Sequence, residues 1–389
     1  MPKGLLFTTI LAPWLYLKVW QRRQQTFIRP FAVFILTYAV LHLWYGVHLR
    51  SFLVSNILLT LVFFFTVSLW HFVNGYEKLS RLFRQMLVFN FFMTLIALPF
   101  LFAPPEYRQW FWYINKLTKG LENFPRLAMF TYEASYYSLL IAPLVFYYVL
   151  KFVLGQFTRY RWATLVMTLA PLLLSLSFGV LGAMFITALI MASVNIRSLF
   201  RYRKPFVITT SVLGAMLLTF VILLLWWPEN PLFIRLSNIW AGADTSARGR
   251  TIESFEVAWR LAADKNILFG VGMGQVKIVI VDVVKKFYNY WGDLPRYDIP
   301  NAMGETLGIF GMSGVVLRLT LEGWLFVKTR VYNNHYRLAL FIFIFIYQFT
   351  GSFITNVIEY CIWVLAFAQI FPQFNRRPLP PAGENFSAV

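Results

Sequence analysis

The stretch "FLVSNILLTLVFFFTVSLWHF", residues 52–72, contains no Asp, Glu, Lys or Arg. A helix needs about 20 apolar residues to cross a hydrocarbon core of about 30 Å. This block meets that need. Comparable blocks recur at about 4–19, 30–48, 86–103, 131–151, 161–176, 178–196, 206–227, 302–327, 338–353 and 356–371. The chain is 59% hydrophobic and only 13% charged, where soluble domains carry about a quarter charged residues. The sequence therefore predicts an all-α polytopic membrane protein with about 11 transmembrane helices, within a range of about 10 to 12. The spans near 170 and 350 are short and nearly abut, so they read as helical hairpins or broken helices.

Charge supplies the orientation. The chain has 35 Lys+Arg against 16 Asp+Glu, a formal charge of +19. In a soluble protein this would suggest nucleic acid. Here most basic residues lie in short clusters between apolar blocks, the pattern of cationic cytoplasmic loops, and no nucleic-acid partner is expected. The clusters are Lys18, Arg22, Arg23 and Arg29; Lys78, Arg81 and Arg84; Lys151, Arg159 and Arg161; Arg197, Arg201, Arg203 and Lys204; Lys328, Arg330 and Arg337; Arg376 and Arg377. An even number of spans separates each from the next, so all can share one side. The N-terminal segment reads as an uncleaved first span or an interfacial helix, and as a span it leaves the N-terminus outside.

This divides the chain into an N-terminal bundle, 1–227, with an external loop at 104–130; a long external loop, 228–300; C-terminal spans, 301–371; and a cytoplasmic tail, 372–389. The long loop carries nine Lys+Arg and eight Asp+Glu, a balance that suits a folded external domain. The 104–130 loop is basic, with Arg108, Lys116, Lys119 and Arg126. Two readings stand: tolerance of a statistical bias, or an anionic ligand on that face.

Within the long loop, "SARGRTIESFEVAWRLAADKNILFGVGMGQ", residues 246–275, concentrates the chemistry. Ile252, Phe255, Trp259 and Ala262 fall on one helical face and Glu253, Glu256 and Arg260 on the other, with Thr251 placed to cap the helix. Arg248 and Arg250 precede it. Planar guanidinium donors beside a helix N-terminus suit phosphate oxygens; the bland reading is arginines snorkelling to headgroups or capping carbonyls. Gly270, Gly272 and Gly274 read first as a tight packing turn and only weakly as a phosphate loop. Glu133, Glu305, Arg318, Glu322 and Glu359 lie in or beside spans, where ionisable groups need a reason. Arg318 and Glu322 are spaced to pair on one helix. Cys361 reads as a core residue. The four histidines show no zinc spacing, so neither a metal nor a cofactor is expected.

Four stretches together resemble a family. "RLAMFTYEASYYSLLIAPLVFYY", "SLSFGVLGAMFITALIM", "SARGR…FGVGMG" and "PNAMGETLGIFGMSGVV" are similar, in order and spacing, to motifs of the O-antigen polymerase and ligase superfamily (Wzy-like), over roughly 120–320. The resemblance implies a GT-C-like glycosyltransferase in the bacterial cytoplasmic (inner) membrane, its active site facing the periplasm. It implies polymerisation of undecaprenyl-pyrophosphate-linked repeat units into O-antigen or exopolysaccharide, with inversion and without metal. Donor and acceptor are then both lipid-linked glycans, with a chain-length regulator as a further partner. The matching positions are Arg126, Glu133, Arg250 (or Arg248), Asn301 and Glu305. Arginines would hold the pyrophosphate, and Glu305 or Glu133 would serve as base. Three departures bear on the branch. A Glu-Pro-Ser element reads Glu133-Ala134-Ser135, a Ser-Arg-Gly reads Ser177-Phe178-Gly179, and a histidine beside the Asn is replaced by Pro300. They favour a polymerase over a ligase using lipid A or another acceptor. The other alternative, a lipid-linked glycan transporter, is disfavoured by the absence of a visible repeat and by the long amphipathic external loop.

Overall fold

A computed structural model describes residues 11–21, 27–75, 78–114, 124–156, 160–195, 233–234, 237–238, 245–289, 292 and 297–376. The expected span at 206–227, the start of the first span, the tail beyond 376, and Arg22, Arg23, Lys116, Lys119, Arg159, Arg197, Arg201, Arg203, Lys204 and Arg377 lie outside the described residues.

The chain is mostly helical. Helices α1 (Ala12–Gln21), α2 (Ile28–Trp44), α3 (Leu49–Gly75) and α4 (Leu79–Ala97) open it. A short helix α5 (Pro105–Arg108) and a two-stranded hairpin, β1 (Trp112–Ile114) with β2 (Pro125–Leu127), follow. Next come α6 (Ala134–Val153), α7 (Arg161–Ser175) and α8 (Phe178–Val194). The long loop holds α9 (Thr245–Arg250), α10 (Ile252–Lys265) and α11 (Val276–Tyr288). Helices α12 (Ala302–Lys328), α13 (His335–Tyr347) and α14 (Val357–Phe367) close the described chain.

Among the described residues, four helical stretches are long and apolar enough to cross a membrane: Leu49–Asn74, Leu79–Phe102, Ala134–Val153 and Ala302–Lys328. The first two bury only 22% and 17% of their most apolar windows. Val33, Leu36 and Val40 on α2 and Phe89 and Phe92 on α4 are likewise exposed. Apolar surface on this scale needs a lipid environment or a partner; the bilayer is the environment that the span lengths match. Helices α2, α7, α8, α13 and α14 are apolar but shorter, from 11 to 17 residues. At 1.5 Å per residue, α13 and α14 reach only about 20 and 16 Å. They form the half-length pair expected near 350, joined by a polar turn at 348–356.

The expected span 302–327 is not one rod. Gly311 has φ 67° and ψ −164°, which breaks α12 into a buried first part and a largely exposed second part. The break is sealed by the loop. Val271 and Gly272 N–H donate to Gly308 and Ile309 O at 3.0 Å each, and Met312 and Ser313 N–H donate to Ile267 and Leu268 O at 2.9 and 3.0 Å. Backbone groups freed within a membrane protein need such partners. Both sides require glycine. A Cβ on Gly311 would lie 2.4 Å from the Leu268 carbonyl carbon, and one on Gly270 (φ 70°) would lie 2.5 Å from Ile309 C and O. The glycine cluster is therefore a packing turn. Its Gly270 N–H is also taken, by Asn266 O at 2.7 Å.

The loop helices dock on the bundle through an apolar layer of Tyr38, Phe52, Leu59, Val257, Leu261, Val276, Ile280, Leu307 and Phe310. The buried side of α10 is Ser254, Val257, Ala258, Leu261 and Ala262. This corrects the expected face: Ile252 and Trp259 are exposed, because the smaller side chains allow closer approach to α12. Thr251 occupies the cap position but makes no side-chain cap bond, since the chain enters α10 directly from α9.

The connections sort into two ends. At one, the 45–48 turn meets the loop: Gln275 Oε1 accepts from His48 N at 2.8 Å, and Lys265 Nζ donates to Gly46 O at 2.5 Å. The 128–133 turn reaches the loop through Glu133 and Arg250, and the 348–356 turn meets the start of α12. At the opposite end Gln156 donates to Gln373 O at 3.0 Å, and Asn334 bridges Asn375. Arg337, grouped above with topogenic charges, is buried there. Its guanidinium donates to Thr329, Ala366 and Phe367 O at 2.7, 3.0 and 2.9 Å. It closes the carbonyl ends of α12 and α14, where a cation is favoured by the helix dipole.

Candidate functional site

Glu133 stands at the N-cap of α6 with extended backbone (φ −154°, ψ 146°) and makes no cap bond with its side chain. Its carboxylate is thereby left to reach outward. Thr131 Oγ1 fixes the preceding turn by donating to Ala128 O and Glu133 O at 2.6 and 2.9 Å. Across the gap, Arg250 ends α9 and donates from Nη2 to Glu133 Oε1 at 3.4 Å. The pair is partly buried and single-pronged. A strong guanidinium–carboxylate pair is bidentate and shorter, about 2.7–2.9 Å. Nε and Nη1 of Arg250 have no partner among the described residues.

Burial works against the Arg250 charge, but Glu133, Tyr347 and Tyr132 more than offset it and hold its pKa above the ordinary arginine value. Burial first, and then the Glu133 charge, pushes the Tyr132 phenol above its ordinary value. Tyr132 therefore remains a neutral hydroxyl at any physiological pH.

Asn301 sets Arg250 from behind. It is fully buried at the N-cap of α12. Its Oδ1 accepts from Gly304 N at 2.5 Å, and its Nδ2 donates to Arg250 O at 2.6 Å and to Ser254 Oγ at 2.5 Å. The other leading N–H groups of α12 are used as well: Ala302 donates to Gly351 O and Met303 to Gln348 O, both at 3.0 Å. That helix end is a docked joint with few donors to spare.

The remaining expected residues separate. Arg248 is 65% exposed and pairs with Glu253 at 2.8 Å, a carboxylate that also takes the Tyr288 hydroxyl. Arg248 thus faces the outer surface of α10 and α11 while Arg250 faces Glu133. Arg126, on β2, donates from Nε to Ser175 O at 3.1 Å and so ties the hairpin to the end of α7. Glu305 turns to the 348–356 segment, where its Oε2 accepts from Ile354 N at 2.7 Å. Among the described residues no arginine pairs with Glu305, so it does not join Glu133 at the arginines. Its Oε1 takes no hydrogen bond from them either.

Tyr347 was not singled out by the sequence. It is buried at the end of α13, with Arg250, Glu133, Glu359 and Arg126 all within electrostatic reach. Its ring presses on Gly351, where a Cβ would lie 2.6 Å from Cζ, and lies 3.9 Å from one on Gly179. The only signal for it is a tyrosine closing "LFIFIFIY" just before "QFTGS", which resembles any interfacial aromatic. All four stretches quoted for the resemblance converge here, through Glu133, Ser175 with Gly179, Arg250, and Asn301. Among the described residues no group of three or more His, Cys, Asp or Glu side chains is placed to hold a metal.

A scan against family models finds no match for the chain, and a comparison with curated proteins finds none either.

Proposed function

We propose that the chain is a membrane glycosyltransferase that polymerises undecaprenyl-pyrophosphate-linked repeat units, working at the end of the bundle where the long loop docks. The observation that carries the reading is Arg250. It is a guanidinium most of whose donors have no partner among the described residues, loosely tethered to Glu133 and fixed in position through its own backbone by Asn301. Such a group is ready for an incoming phosphate oxygen at little reorganisation. The convergence of the four resembling stretches supports the same reading.

In this account the acceptor hydroxyl oxygen attacks the anomeric carbon of the donor. The bond from that carbon to the pyrophosphate oxygen breaks, the electron pair leaves with the pyrophosphate, and configuration inverts. Arg250 takes the growing negative charge, with Arg126 as the second cation of the neighbourhood. Glu305 receives the acceptor proton on Oε1, which takes no hydrogen bond from the described residues, one helical turn from Asn301. Glu133 holds Arg250 in the resting state. The site faces the periplasm of a bacterial inner membrane.

Purified full-length protein, given a lipid-linked repeat unit in detergent, should lengthen it. Transport has no meaning there, so elongation separates an enzyme from a transporter. Transfer to lipid A with no elongation would instead establish the ligase.

A further inference from the structure

Tyr132 stands beside the Glu133–Arg250 pair and has no part in the reaction just described. It lies in a turn pinned by several backbone bonds. The N–H groups of Ala128 and Met129 both donate to Phe111 O, at 2.8 and 2.9 Å, and Thr131 N–H donates to Ala128 O at 3.0 Å. Met129 has φ 50° and is buried. A non-glycine residue keeps that conformation only where its surroundings hold it. The turn therefore presents its two exposed aromatics, Phe130 and Tyr132, in fixed positions.

The two differ in what they face. Phe130 is 69% exposed and leans on the buried Phe111, with ring centroids 5.2 Å apart. Tyr132 is 44% exposed and leans on Tyr136 at 4.9 Å. Its hydroxyl nevertheless feels desolvation first, and then Glu133, Tyr136, Tyr347 and Arg250. A side chain that is both accessible and surrounded lines a recess. Arg250 and Glu133 share that recess, with side chains 33% and 25% exposed. Among the described residues the Tyr132 hydroxyl has no hydrogen-bond partner. Exposed aromatics at a membrane surface ordinarily anchor in the headgroups. That suits Phe130. It does not account for a tyrosine whose hydroxyl shares a recess with an arginine–carboxylate pair.

An aromatic face carries the negative part of the ring quadrupole. A pyranose ring can offer it a face of weakly positive C–H bonds. Connectivity fixes which sugar would meet Tyr132. In a lipid-linked donor the first sugar is joined to the pyrophosphate through its anomeric carbon. It must lie within one ring's width of whatever holds the phosphates, and Tyr132 is exposed within electrostatic reach of Arg250.

We propose that Tyr132 is a sugar-contacting residue of the donor subsite: its ring stacks on the pyrophosphate-linked sugar while Arg250 holds the phosphates. This rests on the glycosyltransferase reading above and adds to it a residue that distinguishes a sugar-bearing donor from its spent carrier. The hydroxyl is left to bond an oxygen of the same sugar.

Equilibrium binding by the full-length protein in detergent tests it, with two probes. One is undecaprenyl pyrophosphate; the other is the lipid-linked repeat unit that accumulates in cells lacking this protein. The wild type should bind the second more tightly. Y132L keeps bulk but has no π face. It should weaken the sugar-bearing probe by about threefold to tenfold and leave undecaprenyl pyrophosphate unchanged. Should Y132L not fold, Y132M takes its place. Y132F should keep the discrimination, R250A should weaken both probes, and F130A should weaken neither. If Y132L weakens both probes equally, or neither, or if Y132F loses as much as Y132L, the proposal is overturned and the arginine account stands. If the wild type binds neither probe, the glycosyltransferase reading fails and takes the proposal with it.

Discussion

Asn301 Nδ2 donates to the backbone carbonyl of Arg250 at 2.6 Å while its Oδ1 caps α12 at Gly304 N. One buried amide thus joins the long loop to the helix that follows it. Asn301→Ala would strand both groups. A buried polar group left unsatisfied costs about 1–3 kcal/mol, so the variant should melt several degrees lower in detergent. Asn301→Asp keeps the cap but replaces the donor facing the Arg250 carbonyl with an acceptor. It should hold more of the stability than alanine and lose as much elongation. Thermal unfolding read beside elongation checks this; full activity in both variants would detach Asn301 from the site.

The seal between loop and broken helix makes its own prediction. Gly270 and Gly311 both have positive φ and both abut backbone atoms. Alanine at either position meets a clash and an unfavourable conformation, and should destabilise by more than about 1 kcal/mol. Gly46, also at positive φ, has open space around it, so Gly46→Ala should cost less. Melting temperatures of the three variants decide the order; equal losses would mean that conformation alone matters and the close approach does not.

The two ends of the bundle should lie on opposite sides of the membrane. Cysteines placed at Gly46 and Arg248 should react with an impermeant reagent in intact cells, and cysteines at Gln156 and Gln373 should not. Cys361, in α14, serves as the background. Labelling at 156 or 373, with none at 46 or 248, would invert the assignment.

Much of this was legible in the sequence, and the limits are physical. The uncharged run at 52–72 and its counterparts announce membrane helices because the bilayer imposes a length. The glycine cluster was readable as a turn, since three glycines so close together point to unusual backbone. Its partner was not, because Gly311 sits in a continuous apolar run and its break depends on a loop 40 residues away. The docking face of α10 was misread for a similar reason. Ile252 and Trp259 are larger than Val257 and Ala258, but close helix packing selects the small ones. Tyr347 stayed hidden because its role comes from Arg250, Glu133 and Gly351, which only the fold assembles.

Elongation should survive chelation of divalent ions. The arginines around Tyr347, Arg250 and Arg126, carry a charge that needs no metal. The assay is run in excess chelator, then with ions restored. Activity lost and regained only with a divalent ion would end the arginine account.

The central claim is that Arg250, and not Arg248, receives the leaving group. Elongation by Arg250→Ala, Arg250→Lys and Arg248→Ala, at matched protein levels, tests it most directly. Losing one preorganised donor costs about 10²- to 10³-fold in turnover. Arg250→Ala should fall by that amount, and Arg250→Lys should recover only part, because an ammonium cannot reproduce the planar fork. Arg248→Ala should stay within about twofold, since an exposed pair such as Arg248–Glu253 contributes little. Normal turnover in Arg250→Ala, or full recovery in Arg250→Lys, would contradict the account.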